Sequence, residues 1–210
     1  MKKYKLYLFD FDGTLLDTVS CLEYVFTVSY ESIGIKFDPK DTVEFSRVPL
    51  TYGYKKYGAD PNKWADFVKI IDESLDHPES LRRTKFYPES KEFIDYLYQN
   101  KIRCGIVTSN NSKHVKDVLL ALDLPIDAFE IYVGNKECTK FKPHPDPIFK
   151  ALEEANYDGE LSDVAYIGDG PNDMISANAA GVDAILIDRH NLIESSDKYK
   201  KISNLMELFK

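Results

Sequence analysis

Asp10-Phe11-Asp12-Gly13-Thr14-Leu15-Leu16-Asp17-Thr18 (DFDGTLLDT) follows directly on the apolar run Tyr4–Phe9. The run is continuous rather than alternating, which suits a strand buried on both faces. It ends abruptly in carboxylates. Ile102–Val107 before Thr108 and Val164–Ile167 before Gly168-Asp169 repeat the pattern, and Ile131–Val133 and Ala184–Ile187 are two further strand candidates. Helical periodicity fills the intervals. Phe93, Ile94, Leu97 and Tyr98 line one face between Pro88 and Asn100, and Val115, Val118, Leu119 and Leu122 line another, with Ser112 as its N-cap. Ile148, Phe149 and Leu152 mark a third helix, opened by Asp146-Pro147. Ile175 with Ala177, Ala179 and Ala180 marks a fourth, closed by Gly181. Strands alternating with helices predict a doubly wound α/β parallel sheet.

Residues 16–84 break this rhythm. They carry helical patterns only, such as Leu22, Val25, Phe26 and Ser29, then Trp64, Phe67, Val68 and Ile71. A strand-to-helix connection usually takes about 2–6 loop residues, so this stretch reads as an inserted helical subdomain. The expected division is a core of residues 1–15 and 85–210 and an insertion of residues 16–84. The tail Ile202–Leu208 reads as a short closing helix.

The chain has 210 residues and a net charge of −8. That balance, with no basic stripe, argues against nucleic acid and anionic membranes as partners. No apolar run reaches the roughly 18 residues of a membrane span, and Asp10 and Asp12 cut short the signal-like start MKKYKLYLFD. Cys21, Cys104 and Cys138 are odd in number and lack metal-ligand spacing, which fits reduced thiols in the cytoplasm.

Ligands of open α/β sheets bind beyond the carboxyl ends of the strands. Those ends here supply Asp10, Asp12, Thr108, Ser109, Asp169 and Asp173. One carboxylate after a strand is ordinarily a cap or turn former. Four at two strand ends would repel one another and raise each other's pKa values. A hard divalent cation relieves the repulsion, and Mg2+ takes one or two carboxylates, waters and a phosphate. A calcium loop is ruled out: it needs Gly at its sixth and Glu at its twelfth position. Counting from Asp10 these are Leu15 and Cys21, and from Asp169 they are Met174 and Ala180.

DFDGTLLDT resembles the first motif of the haloacid dehalogenase superfamily, DxDGTLxDS/T. Thr108 in GIVTSNN resembles the second motif, Lys142 in KPHPDPIF the third, and Gly168–Asp173 in YIGDGPNDM the fourth, all in the expected order. The resemblance implies a Rossmann-like core in which Asp10 is a nucleophile toward phosphorus and Asp12 a general acid and base. It implies that Thr108, the backbone N–H groups near Ser109 and Asn110, and Lys142 stabilise phosphoryl oxygens. It assigns Mg2+ to the Asp10 carboxylate, the Asp12 carbonyl and Asp169, with Asp173 in the outer shell or bound through water. Members that cleave carbon–halogen bonds lack the second Asp, so Asp12 favours phosphoryl transfer. Lys140 rivals Lys142, and Ser109 rivals Thr108 by a one-residue shift. His77, His114, His144 and His190 show no ligand spacing and read as surface or capping groups.

Lys142 lies 34 residues after Thr108, which leaves no room for a second large insertion. The single helical insertion resembles the C1-capped, phosphoglycolate phosphatase-like branch, and such caps close over small molecules. Within it, Arg47 suits a substrate carboxylate or second phosphate, or else faces solvent. The expectation is a Mg2+-dependent phosphatase acting on a small phosphorylated metabolite, phosphoglycolate-like or a sugar phosphate, as a cytoplasmic monomer or homodimer. A phosphomutase of the β-phosphoglucomutase kind is the alternative, and a non-catalytic phosphate-binding module ranks third.

Overall fold

β1 (Leu6–Phe9) buries all four of its side chains, and they divide between two cores: Tyr7 and Phe9 face one, Leu6 and Leu8 the other. This is the period-two geometry of a strand covered on both sides. The computed structural model of the chain describes residues 2–210. Beyond β1 its strands are β2 (Leu16–Asp17), β3 (Lys85–Phe86), β4 (Cys104–Val107), β5 (Ile131–Val133), β6 (Val164–Gly168), β7 (Asp183–Ile187) and β8 (Lys200–Ile202). Six of them form one parallel sheet in the order β5-β4-β1-β6-β7-β8, and β2 pairs with β3 as a separate two-stranded ribbon. From β1 the chain moves outward to β4 and β5, then returns to β6 on the other side of β1. The order therefore reverses between β1 and β6. Phe9 is level with Ile106 on β4 and Ile167 on β6, so the chain leaves all three strands at one edge.

The chain divides into two compact units, one of residues 17–85 and one of residues up to Leu16 together with Phe86–Lys210. Each boundary lies one residue further along than the sequence reading places it. Residues 17–85 contain α1 (Val19–Ser32), α2 (Thr42–Phe45), α3 (Leu50–Lys56), α4 (Trp64–Leu75) and α5 (Pro78–Arg83). Their core is aromatic: the Tyr30 ring packs 4.9 Å from both Phe67 and Tyr57, and Phe67 is fully buried. Trp64 packs against this cluster from its edge.

On the sheet, α6 (Ser90–Gln99) and α7 (Ser112–Ala121) cover the Tyr7 face, while α8 (Asp146–Glu154) and α9 (Pro171–Ala180) cover the Leu8 face. This is the doubly wound α/β fold that the sequence implies. Several details differ. Tyr98, Phe149 and Ile175 are exposed. In α8 the buried positions are Pro147, Ile148, Ala151 and Leu152, so Phe149 sits off that stripe. The N-cap of α7 is Asn111, whose side chain accepts from the Lys113 N–H at 3.0 Å, and Ser112 is the first helical residue. Ile202 belongs to an edge strand, β8, and the closing helix is a 3-10 turn from Leu205 to Phe209.

Asp188 fixes the segment between β7 and β8. It accepts from the N–H groups of Leu192 and Ile193 at 3.1 and 2.8 Å and pairs with Lys201 at 2.9 Å. Burial alone would raise its pKa, but the backbone donors and Lys201 outweigh it and hold the carboxyl down to about 2. Its folded value lies below the unfolded one, so it stabilises the fold above the unfolded pKa, and that stability is lost as pH falls toward 2. Asp188→Asn should lower the urea midpoint at pH 7 and flatten its dependence on pH between about 4 and 2; an unchanged acid limb would contradict this role.

Candidate functional site

The Asp10 N–H donates to the Ile167 carbonyl at 2.8 Å, which carries the β1–β6 pairing one residue past the strand and seats Asp10 at the reversal point. Gly13 then turns the chain with φ +77°, and its N–H donates to the Leu16 carbonyl at 2.8 Å. A Cβ at this position would lie 2.4 Å from Asp169 Oδ2. Only glycine lets the loop after β1 approach the carboxylate after β6 this closely. Arg189 holds the loop from behind, donating to the Gly13 and Thr14 carbonyls at 3.0 and 2.9 Å and pairing with Glu89 at 2.8 Å.

Lys142 lies at the centre. Its ammonium, almost wholly buried, reaches Asp10 Oδ1 at 2.6 Å, Asp173 Oδ1 at 2.7 Å and the Tyr166 hydroxyl at 3.0 Å. Burial opposes the charge on Lys142, but the Asp10 and Asp173 carboxylates overcome it and hold its pKa well above the usual lysine value. Burial pushes Asp10 well up, with Lys142 pulling the other way and Asp173 and Asp169 adding to the rise. The Asp173 carboxylate is fixed from its other side by the Gly170 N–H at 3.0 Å, at the first turn of α9. Asp10, Asp169 and Asp173 each present a carboxylate oxygen, all within 4.8 Å of one another. Such a set of hard oxygen donors suits Mg2+.

Across the site, Thr108 is buried and its Oγ1 accepts from the Asn110 N–H at 3.0 Å, whereas Ser109 is exposed. That arrangement leaves the Thr108 O–H proton free to donate. Asp12 is half-buried; its pKa is raised by burial, with His114, the Asn110 side chain and Lys142 acting against the rise. Arg47 belongs to the helical unit, on a turn between α2 and α3, and is half-buried rather than set on a solvent-facing helix.

The family model of the haloacid dehalogenase-like hydrolases matches residues 7–187. The chain belongs to this family. The hydrolase is 31% identical over 184 residues to a Caldanaerobacter subterraneus protein named "Putative pyrophosphatase PpaX", covering 86% of this chain and 80% of that one. It is likewise 31% identical to a phosphoglycolate phosphatase of Neisseria gonorrhoeae over 183 residues, covering 82% and 75%. The crystal structure of a HAD-superfamily hydrolase, subfamily IA, from Geobacter sulfurreducens has the same fold, with a TM-score of 0.75 at 20% identity and 98% of each chain covered.

In this hydrolase the fold brings Asp10, Lys142, Asp169 and Asp173 together. It also separates the rivals that the sequence leaves open. Lys140 is largely exposed and lies 3.9 Å from Asp146, and Ser109 is exposed whereas Thr108 is buried. Asp17 accepts from the Val19 N–H at 3.2 Å at the start of α1. Sequence reasoning misses three groups. Tyr166 reads as one more apolar strand residue, yet its hydroxyl meets Lys142, Asp173 and the Val107 carbonyl. His114 acts electrostatically on Asp12, and Arg189 anchors the loop that carries Asp10. Only the position of Tyr166, two residues before Gly168-Asp169, was available as a signal.

Lys142→Met would leave Asp10 and Asp173 buried without their cation. The expected loss is about 3–5 kcal/mol at pH 8 in metal-free buffer. Without Lys142 the Asp10 pKa rises further, so the folded state binds protons more tightly than the unfolded one and the variant regains stability as pH falls. Urea melts at pH 8 and pH 5 check this, and a deficit of equal size at both values would refute it.

Proposed function

We propose that this hydrolase is a cytoplasmic, Mg2+-dependent phosphatase that cleaves a small phosphorylated metabolite through a phosphoryl-Asp10 intermediate. One observation carries the reading: a buried ammonium, Lys142, bonded to Asp10 and Asp173 beside a third carboxylate, Asp169, at the point where strand order reverses. A cation and hard oxygen donors concentrated there suit a phosphoryl group and a divalent metal together.

In this reading the Asp10 carboxylate attacks phosphorus, the bond from phosphorus to the leaving oxygen breaks, and Asp12 gives that oxygen its proton. Burial moves the Asp12 pKa upward, the direction a general acid needs. Water then attacks the phosphoryl-aspartate, Asp12 takes the water's proton, and the bond from phosphorus to Asp10 breaks to release inorganic phosphate. The Thr108 hydroxyl, the N–H groups near Ser109 and Asn110, and the Lys142 ammonium bind the phosphoryl oxygens. Asp10, Asp169 and Asp173, with the Asp12 carbonyl, would hold Mg2+, which when bound offsets the charge repulsion between these carboxylates and an anionic substrate. Residues 17–85 act as the cap, and Arg47 is its candidate contact for a second anionic group.

The names of the relatives favour phosphoglycolate and pyrophosphate as the first substrates to try, followed by sugar phosphates. Asp10→Asn should cut hydrolysis of an aryl phosphate by at least on the order of 10³-fold, with an unchanged circular dichroism spectrum. EDTA should abolish wild-type turnover and added Mg2+ should restore it. Retained activity in the variant, or turnover that survives chelation, would overturn the mechanism.

A further inference from the structure

The sheet has a second functional-looking edge, opposite the carboxyl ends. A cavity of about 640 Å3 opens at the amino ends of β1 and β4, within the range of small-molecule sites, roughly 300–1,000 Å3. Lys3, Lys5, Lys101 and Arg103 line it together with the rings of Tyr96 and Phe209, and no carboxylate lines it among the described residues. In a chain of net charge −8, two cations without carboxylate partners on one hollow run against the overall composition. Lys5 and Arg103 are held in place by Asp163 at 2.7 Å and Glu130 at 3.0 Å. Lys3 and Lys101 have no carboxylate partner among the described residues.

The backbone supplies an independent observation. Among the described residues, four other than glycine take positive φ: Lys101, Asp123, Asn156 and Asn191. Asn and Asp enter the left-handed region readily, but lysine does not. Lys101 sits at φ +50° just past the end of α6, where its N–H donates to the Tyr98 carbonyl at 3.2 Å and the Ile102 N–H to Leu97 at 3.1 Å. This is the position at which helices favour glycine. A cation thus occupies this position at a backbone cost, on the wall of the hollow. In the same lining, the exposed Tyr96 ring lies 4.9 Å from Phe209, and Asn100 spends its Nδ2 on the Tyr96 carbonyl at 2.9 Å, leaving its carboxamide oxygen to accept.

We propose that this cavity is a second binding site, separate from the catalytic one, for a nucleotide whose base lies against Tyr96 and Phe209 and whose phosphates meet Lys3 and Lys101. Cations bind the phosphates, the aromatic wall takes the base, and the Asn100 oxygen accepts from an exocyclic amino group. The site sits a strand's length from Asp10, about 13 Å along β1, so its occupancy is distinguishable from substrate binding.

Isothermal titration of the full chain with ADP in metal-free buffer tests this. One ADP should bind per chain, and adenosine and inorganic phosphate should each bind at least about tenfold more weakly, because each keeps only half of the contacts. The double variant Lys3→Glu/Lys101→Glu should weaken ADP binding by at least about tenfold, since attraction becomes repulsion, while hydrolysis of an aryl phosphate is unchanged. Lys101→Gly should weaken ADP binding and raise Tm, because glycine fits the left-handed backbone. Three results would overturn the proposal: no binding of ADP, undiminished affinity in the double variant, or inorganic phosphate binding as tightly as ADP. The last would make the hollow an anion site only.

Discussion

Removing the Lys142 ammonium from water costs several kcal/mol, and the two carboxylates at 2.6 and 2.7 Å are what make its position tenable. The dependence runs both ways, because Asp10 and Asp173 are themselves buried and neither tolerates its location alone. Asp10 arrives on the loop after β1, Asp173 on the first turn of α9, and Lys142 on the connection between β5 and α8. Three segments distant in sequence are therefore tied through one nitrogen. The surrounding glycines follow from this convergence: Gly13 and Gly168 are both positions where a Cβ would strike a carboxylate-bearing side chain at 2.4 Å.

The sheet makes the convergence possible. Reversal of strand order between β1 and β6 opens a crevice at their carboxyl ends that neighbouring crossover helices do not fill. The apolar strands fix how far each loop projects, since Phe9, Ile106 and Ile167 share one level. The division of Tyr7 and Phe9 from Leu6 and Leu8 anchors β1 in both cores, and the residue that follows inherits that rigidity. Arg189 adds a brace behind the loop, with its guanidinium 3.5 Å from the Tyr87 ring centroid as well as bonded to Glu89.

Much of this was legible in the residues because central strands and phosphate-handling loops have strong local signatures. β1, β4 and β6 are continuous apolar runs ending in polar residues, and few other elements produce that pattern. β8 was not legible, since Lys200-Lys201-Ile202 shows no apolar run; an edge strand needs only one paired side and favours lysines. Phe149 and Ile175 mark their helices in the sequence because they are large and apolar, yet each lies off the buried stripe of its helix. For the site, residue types and order point to Asp10, Lys142, Asp169 and Asp173, which the fold brings together, but Lys142 and Lys140 differ only in where the chain carries them. Tyr166 and Arg189 act through single polar atoms on otherwise ordinary residues, and their partners are distant in sequence, so no local pattern announces them.

The pairing of β2 with β3 bears on how the chain reaches this structure. Tyr7 and Cys104, neighbours across β1 and β4, are 97 positions apart in sequence, and joining them directly means closing a very long loop. Once residues 17–85 have folded and their two ends are zipped by the ribbon, the path between those strands shrinks to roughly thirty residues, which lowers the closure cost by about 1 kcal/mol. The aromatic cluster around Tyr30 and Phe67 is built from contacts local to that segment, the kind that form early. Folding of the inserted helices thus shortens the search for the central strand pair, and the order of assembly is written into the point where the insertion enters and leaves.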